Sequence, residues 1–87
     1  MQEEDAVHRM ILERLTEVFR DVFDDDAIVL NDGTSAADIP DWDSLTHVTL
    51  CVSVEKAFDT RLNAAEIGRL TNVGQLVMLL KRKKAQE

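Results

Sequence analysis

The sequence predicts an all-α fold, a small four-helix bundle with three longer helices, one short helix and a long loop between the first and second helices. Three observations carry this. Apolar residues recur at helical spacing in three separate stretches, and no stretch alternates with the period of a strand. Residues that open helices stand at Asp43, Asn63 and Thr71, each just ahead of a helical pattern. The length of 87 residues bounds the chain to one small domain, 1–87, with frayed tails at 1–4 and 85–87.

The first helix is expected from about Asp5 to Phe23. Val7, Ile11, Leu15, Val18 and Val22 form its apolar stripe, widened by Met10, Phe19 and Phe23. Asp24-Asp25-Asp26 ends it, since acids at a helix C-terminus oppose the dipole. About twenty residues then connect to the second helix and contain the turn cluster Asn31-Asp32-Gly33-Thr34-Ser35. A loop this long needs apolar anchors, and Ile28, Val29, Leu30 and Ile39 are the candidates. The acids here lack the alternating positions and closing glutamate of an EF-hand, so calcium is excluded.

The second helix runs from Ser44 to about Phe58, after a turn fixed by Pro40. Asp43 is placed to accept hydrogen bonds from its free N–H groups. Its apolar residues, Leu45, Val48, Leu50, Cys51, Val52, Val54, Ala57 and Phe58, cover more than half the circumference. Such a helix is expected to be buried on two sides, one completing the core and one able to line a cavity. Ordinary central-helix packing would give the same breadth. A short helix follows from Ala64 to Leu70, with Asn63 and Glu66 spaced as a capping box. Thr71 is expected to cap the last helix, which runs through about Lys84 with Val73, Leu76, Val77 and Leu80 inward. Gly74 weakens that helix and leaves room for a close approach.

Composition narrows the function classes. The net charge of −7 is concentrated in residues 1–60, while 61–87 carry six bases and two acids. That balance excludes nucleic acid as a partner and suits docking to basic patches on proteins. The run Lys81-Arg82-Lys83-Lys84 reads as a solvated helix end whose cations complement the dipole. No apolar run reaches the roughly 20 residues of a membrane span. An acidic start and a single cysteine make a cytoplasmic monomer the expectation. His47 lies one turn from Cys51, but no third orienting group completes a nucleophilic site. There is no phosphate loop, zinc motif or carboxylate pair for acid–base work, which favours a non-enzymatic module.

The stretch Asp43-Ser44-Leu45, with an apolar helix behind it closed by Phe58-Asp59, resembles the attachment site of acyl carrier and peptidyl carrier proteins. The resemblance covers nearly the whole chain. It implies that Ser44 carries a 4′-phosphopantetheine arm, transferred from coenzyme A by a phosphopantetheinyl transferase. The arm's thiol would hold an acyl or aminoacyl group as a thioester. An acyl- or aminoacyl-activating ligase would load it, and acyl-transfer or condensing enzymes of fatty acid, polyketide or nonribosomal peptide biosynthesis would unload it. The helix entrance would help hold the arm's phosphate. Asp43 is then both cap and transferase contact, with Trp42, Leu45 and Val48 as apolar docking contacts. Trp42 has a second reading, as an anchor pinning the loop to the bundle. Val48, Val52 and Ile67 would line an acyl pocket between the second and third helices. The resemblance departs from fatty-acid carriers in one respect: Glu55 is the only acid on the second helix before Asp59. That points to a specialised stand-alone carrier. The alternative from another class is a small helical interaction or regulatory protein that is never modified.

Overall fold

The computed structural model describes residues 3–63, 66 and 70–86, with side chains between Ala6 and Lys83. Among the described residues, three longer α-helices, α1 (Glu3–Phe23), α2 (Ser44–Phe58) and α3 (Val73–Gln86), pack around one core, with α1 against both of the others. A single 3-10 turn, Ala36–Asp38, interrupts the loop between α1 and α2. Among the described residues there is no strand. The expected short helix, Ala64–Leu70, falls largely outside the described residues. Its capping box is nevertheless visible. Glu66 N–H donates to Asn63 Oδ1 at 2.8 Å, and Asn63 N–H returns to Glu66 Oε1 at 3.3 Å. Lys83 of α3 reaches the same carboxylate at 2.9 Å, tying this segment to the last helix.

α1 begins two residues before the expected Asp5 and buries Ile11, Leu15, Phe19 and Phe23. Val7 and Met10, expected in its stripe, are instead 46% and 67% exposed. They border a surface hollow shared with Ala57 and Phe58 of α2 and Lys81 of α3, which leaves them partly uncovered. The stop after Phe23 is a backbone motif rather than a dipole effect. Asp24 takes the left-handed conformation (φ 52°) and Asp25 N–H bonds back to the Arg20 carbonyl at 3.0 Å. This is the Schellman arrangement, which an aspartate tolerates better than most side chains. α2 ends the same way, with Asp59 left-handed (φ 51°) and Thr60 N–H on the Glu55 carbonyl at 3.1 Å.

The long loop is held by its apolar residues, as expected of Ile28, Leu30 and Ile39, which are all buried. Val29 is the correction: between two inward side chains in an extended segment it points outward and is 75% exposed. The loop also bonds to the head of α3. Val73 N–H donates to the Thr34 carbonyl at 2.8 Å and Gly74 N–H to the Asp32 carbonyl at 2.9 Å. These satisfy two donors that the start of a helix otherwise leaves free. The cap of α3 is Asn72, not Thr71, because the helix starts one residue later and Gln75 N–H bonds Asn72 Oδ1 at 2.9 Å. Thr71 N–H instead donates to the Gln75 side chain at 2.9 Å. Val73, Leu76, Val77, Leu79 and Leu80 bury the inner face of α3.

Candidate functional site

Ser44 is the first residue of α2, and its side chain is exposed. The turn before it is tightly organised by short-range hydrogen bonds. Asp43 Oδ1 accepts from Leu45 N–H at 3.0 Å and Thr46 N–H at 3.1 Å. Asp43 N–H donates to Thr46 Oγ1 at 2.8 Å, closing a capping box. The Thr46 hydroxyl donates onward to the Asp41 carbonyl at 2.7 Å. The N–H groups of Thr46 and Leu45 hold the Asp43 carboxyl below the usual carboxylate range, so it is ionised at neutral pH. Two of the free donors at this helix entrance are therefore taken by a carboxylate. That is the capping role expected of Asp43, and it leaves fewer free donors at the helix entrance for a phosphate.

Trp42 is half-buried and anchors the turn. Its ring meets Phe19 edge-on, with centroids 5.2 Å apart and planes at 85°. Its indole N–H donates to His47 Nδ1 at 2.9 Å, and the two rings lie nearly parallel, at 18°, with centroids 5.9 Å apart. These contacts give Trp42 the loop-anchor role of its second sequence reading, with part of the indole left exposed.

A cavity of about 370 Å³ opens beside Ser44. α2 contributes His47, Leu50, Cys51 and Val54 to its wall, and the facing side includes Leu62, Leu70 and Leu76. The lining is mostly apolar, and its size falls at the low end of small-molecule sites. Val48 and Val52, expected in such a pocket, do not line it. They are 64% and 44% exposed and share an outward stripe with Leu45, which is 81% exposed. The reason is helical phase. Residues 45, 48 and 52 follow one line along α2, whereas 44, 47, 51 and 54 follow another, on the cavity side. Ile67 lies outside the described residues. The spacing Ser44, His47, Cys51, Val54 was the sequence signal for the true lining.

Cys51 is half-buried in that wall. Burial, and then the nearby Glu55 carboxylate, push its thiol up to about 11. No hydrogen bond joins it to His47 among the described residues, so no activated nucleophile is assembled. No group of three or more potential metal ligands occurs among them either. No described helix is long and apolar enough to cross a membrane.

Comparison with solved structures places the chain beside a holo acyl carrier protein from Geobacter metallireducens. The two share 48% sequence identity and a TM-score of 0.81, covering 86% of each chain. No family model matches the chain, and neither does any curated protein.

Proposed function

This chain belongs to the acyl carrier protein family, whose members are carriers rather than enzymes, and from that premise we infer that Ser44 bears its 4′-phosphopantetheine arm. The observation that carries the reading is a serine hydroxyl exposed at a helix head and bordering an apolar cavity. The residues present fit the group. Ser44 Oγ is free of hydrogen-bond partners among the described residues, and the exposed turn leaves a transferase room to reach it. In the transfer, a bond forms between Ser44 Oγ and the phosphorus of coenzyme A's phosphopantetheine. The pyrophosphate link breaks, adenosine 3′,5′-bisphosphate leaves, and the serine proton passes to the transferase or water. Asp43 keeps the helix head rigid and presents an anionic contact.

With the arm in place, the chain would present an acyl or aminoacyl group, held as a thioester, to acyl-transfer or condensing enzymes of lipid or secondary-metabolite biosynthesis. An apolar cargo shelters in the cavity against Leu50, Cys51 and Val54. This replaces Val48 and Val52 as the pocket's α2 wall. The outward stripe of Leu45, Val48 and Val52 is the docking surface for those enzymes, with Trp42 anchoring the turn at the head of the same helix. Its scarcity of acids suits a specialised carrier that is recognised by apolar contact.

Incubation with coenzyme A and a broad-specificity phosphopantetheinyl transferase, read by intact mass, tests the site. One phosphopantetheinyl group is expected on the wild type and none on Ser44→Ala. Modification persisting in the mutant, or absent from the wild type with several transferases, overturns the assignment.

A further inference from the structure

Two features of the turn leave His47 in an unusual position. The Asp43 carboxylate, anionic itself, already occupies the N–H groups of Leu45 and Thr46. A phosphodiester on Ser44 would therefore sit beside a negative charge with those two helix-end donors taken. Separately, Trp42 N–H donates to His47 Nδ1 at 2.9 Å. That nitrogen must be the unprotonated one, so the proton of the neutral ring sits on Nε2. Nε2–H has no acceptor among the described residues. Side chains three apart on a helix are neighbours, about 5–6 Å between Cβ atoms, and helical side chains lean toward the N-terminus. His47 thus leans from one turn down toward Ser44, its ring bordering the cavity that Ser44 also borders.

We propose that His47 positions the arm on Ser44, donating from Nε2–H to its phosphodiester while Trp42 holds the ring in the required tautomer and orientation. This rests on Ser44 being the attachment site. The indole, packed edge-on against Phe19, makes the donor part of the core's rigid framework rather than a loose surface imidazole. A second proton on Nδ1 would remove the acceptor for Trp42, so the device works with the ring neutral. The consequence is directional: the arm leaves Ser44 with its phosphate held on the cavity side of α2.

The test uses holo protein prepared with coenzyme A and a transferase, with apo protein beside it. Nitrogen-15 shifts of the His47 ring and the phosphorus-31 shift of the arm are the readouts. On going from apo to holo, the Nε2 resonance should move while Nδ1 keeps the shift of an unprotonated acceptor. Two variants separate positioning from mere support of Trp42. His47→Gln puts an amide N–H near the Nε2 position, and His47→Asn puts an amide oxygen near the Nδ1 position. The phosphorus shift should stay near wild type in His47→Gln and move in His47→Asn. An Nε2 resonance identical in apo and holo wild type overturns the proposal without reference to any variant. So does a phosphorus shift indifferent to both substitutions. If no arm is loaded at all, it is the assignment of Ser44 that fails, and the mass measurement records that separately.

Discussion

Gly74→Ala sets two physical effects against each other, and the structure decides between them. Gly74 sits in the first turn of α3 with no positive φ, so helix propensity alone predicts a gain of up to about 1 kcal/mol for alanine. A Cβ there, however, would lie 2.9 Å from the Asp32 carbonyl oxygen and 3.1 Å from Asp32 Cβ. The oxygen cannot simply retreat, because it accepts the Gly74 N–H at 2.9 Å, beside the Val73–Thr34 bond at 2.8 Å. Relieving the clash means pushing the loop off the helix head, with these bonds stretched or lost. Leaving one such group unsatisfied costs about 1–3 kcal/mol, and the steric shift adds to it. The net effect is a destabilisation of about 2 kcal/mol. For 87 residues the unfolding entropy is about 0.18 kcal/mol/K, so Tm should fall by about 10 °C. Thermal unfolding followed by circular dichroism measures this. Gly33→Ala is the control, since the added Cβ meets only Asn31 Oδ1, at an ordinary 3.5 Å. A Gly74→Ala protein as stable as wild type, or more so, would refute the reasoning that close loop approach outweighs propensity here.

Two further outcomes follow from the site. Cys51, with its thiol raised from 9.0 to about 11, should hold about a hundredfold less thiolate at pH 8 than an unperturbed cysteine. Alkylation by iodoacetamide should be slow at that pH and climb about tenfold per pH unit up to pH 10; rapid labelling near neutrality would contradict this. On the docking stripe, Leu45→Ser removes an apolar side chain that is 81% exposed and free to be buried by a partner. A partner enzyme that covers it should bind roughly tenfold more weakly or worse, at about 1.5–3 kcal/mol for a buried leucine. Glu55→Gln should change little and added salt should weaken binding only modestly. A steep salt dependence with an indifferent Leu45→Ser would assign steering to the acids of α1 and the loop.

The helices themselves were legible because each rule that reveals a helix acts locally. The apolar period of α1 and α3, the Asp43 cap and the Asn63–Glu66 box are all decided within four residues, and the structure contains them. What was not legible depended on where other elements ended. Val7 and Met10 carry the right spacing for a core, yet they border a surface hollow with Ala57, Phe58 and Lys81 instead of a packed interior. Val29 could not be told from Ile28 and Leu30 without knowing which side of the loop met the bundle. The bond between Trp42 and His47 needed the turn at Pro40 in three dimensions. Thr71 and Asn72 are both good capping residues, and the choice between them was made by the loop that seats Val73 and Gly74.

α2 posed the hardest case, and its resolution bears on how a carrier of this kind works. Apolar residues around more than half a helix can fill a core, line a cavity or face a partner, and periodicity alone cannot divide them. Here the division follows three adjacent lines. Leu50, Val54 and Phe58 close the core, His47 and Cys51 border the cavity with Leu50 and Val54 at its inner wall, and Leu45, Val48 and Val52 face outward. Ser44 stands at the seam between the last two. An arm attached at that seam has apolar surface on either hand, inward for a sheltered cargo and outward where an enzyme docks. With Ser44 as the attachment site, the cap at Asp43 and the packing of Trp42 on Phe19 would root the arm in a turn that is hydrogen-bonded on one side and anchored to the core on the other.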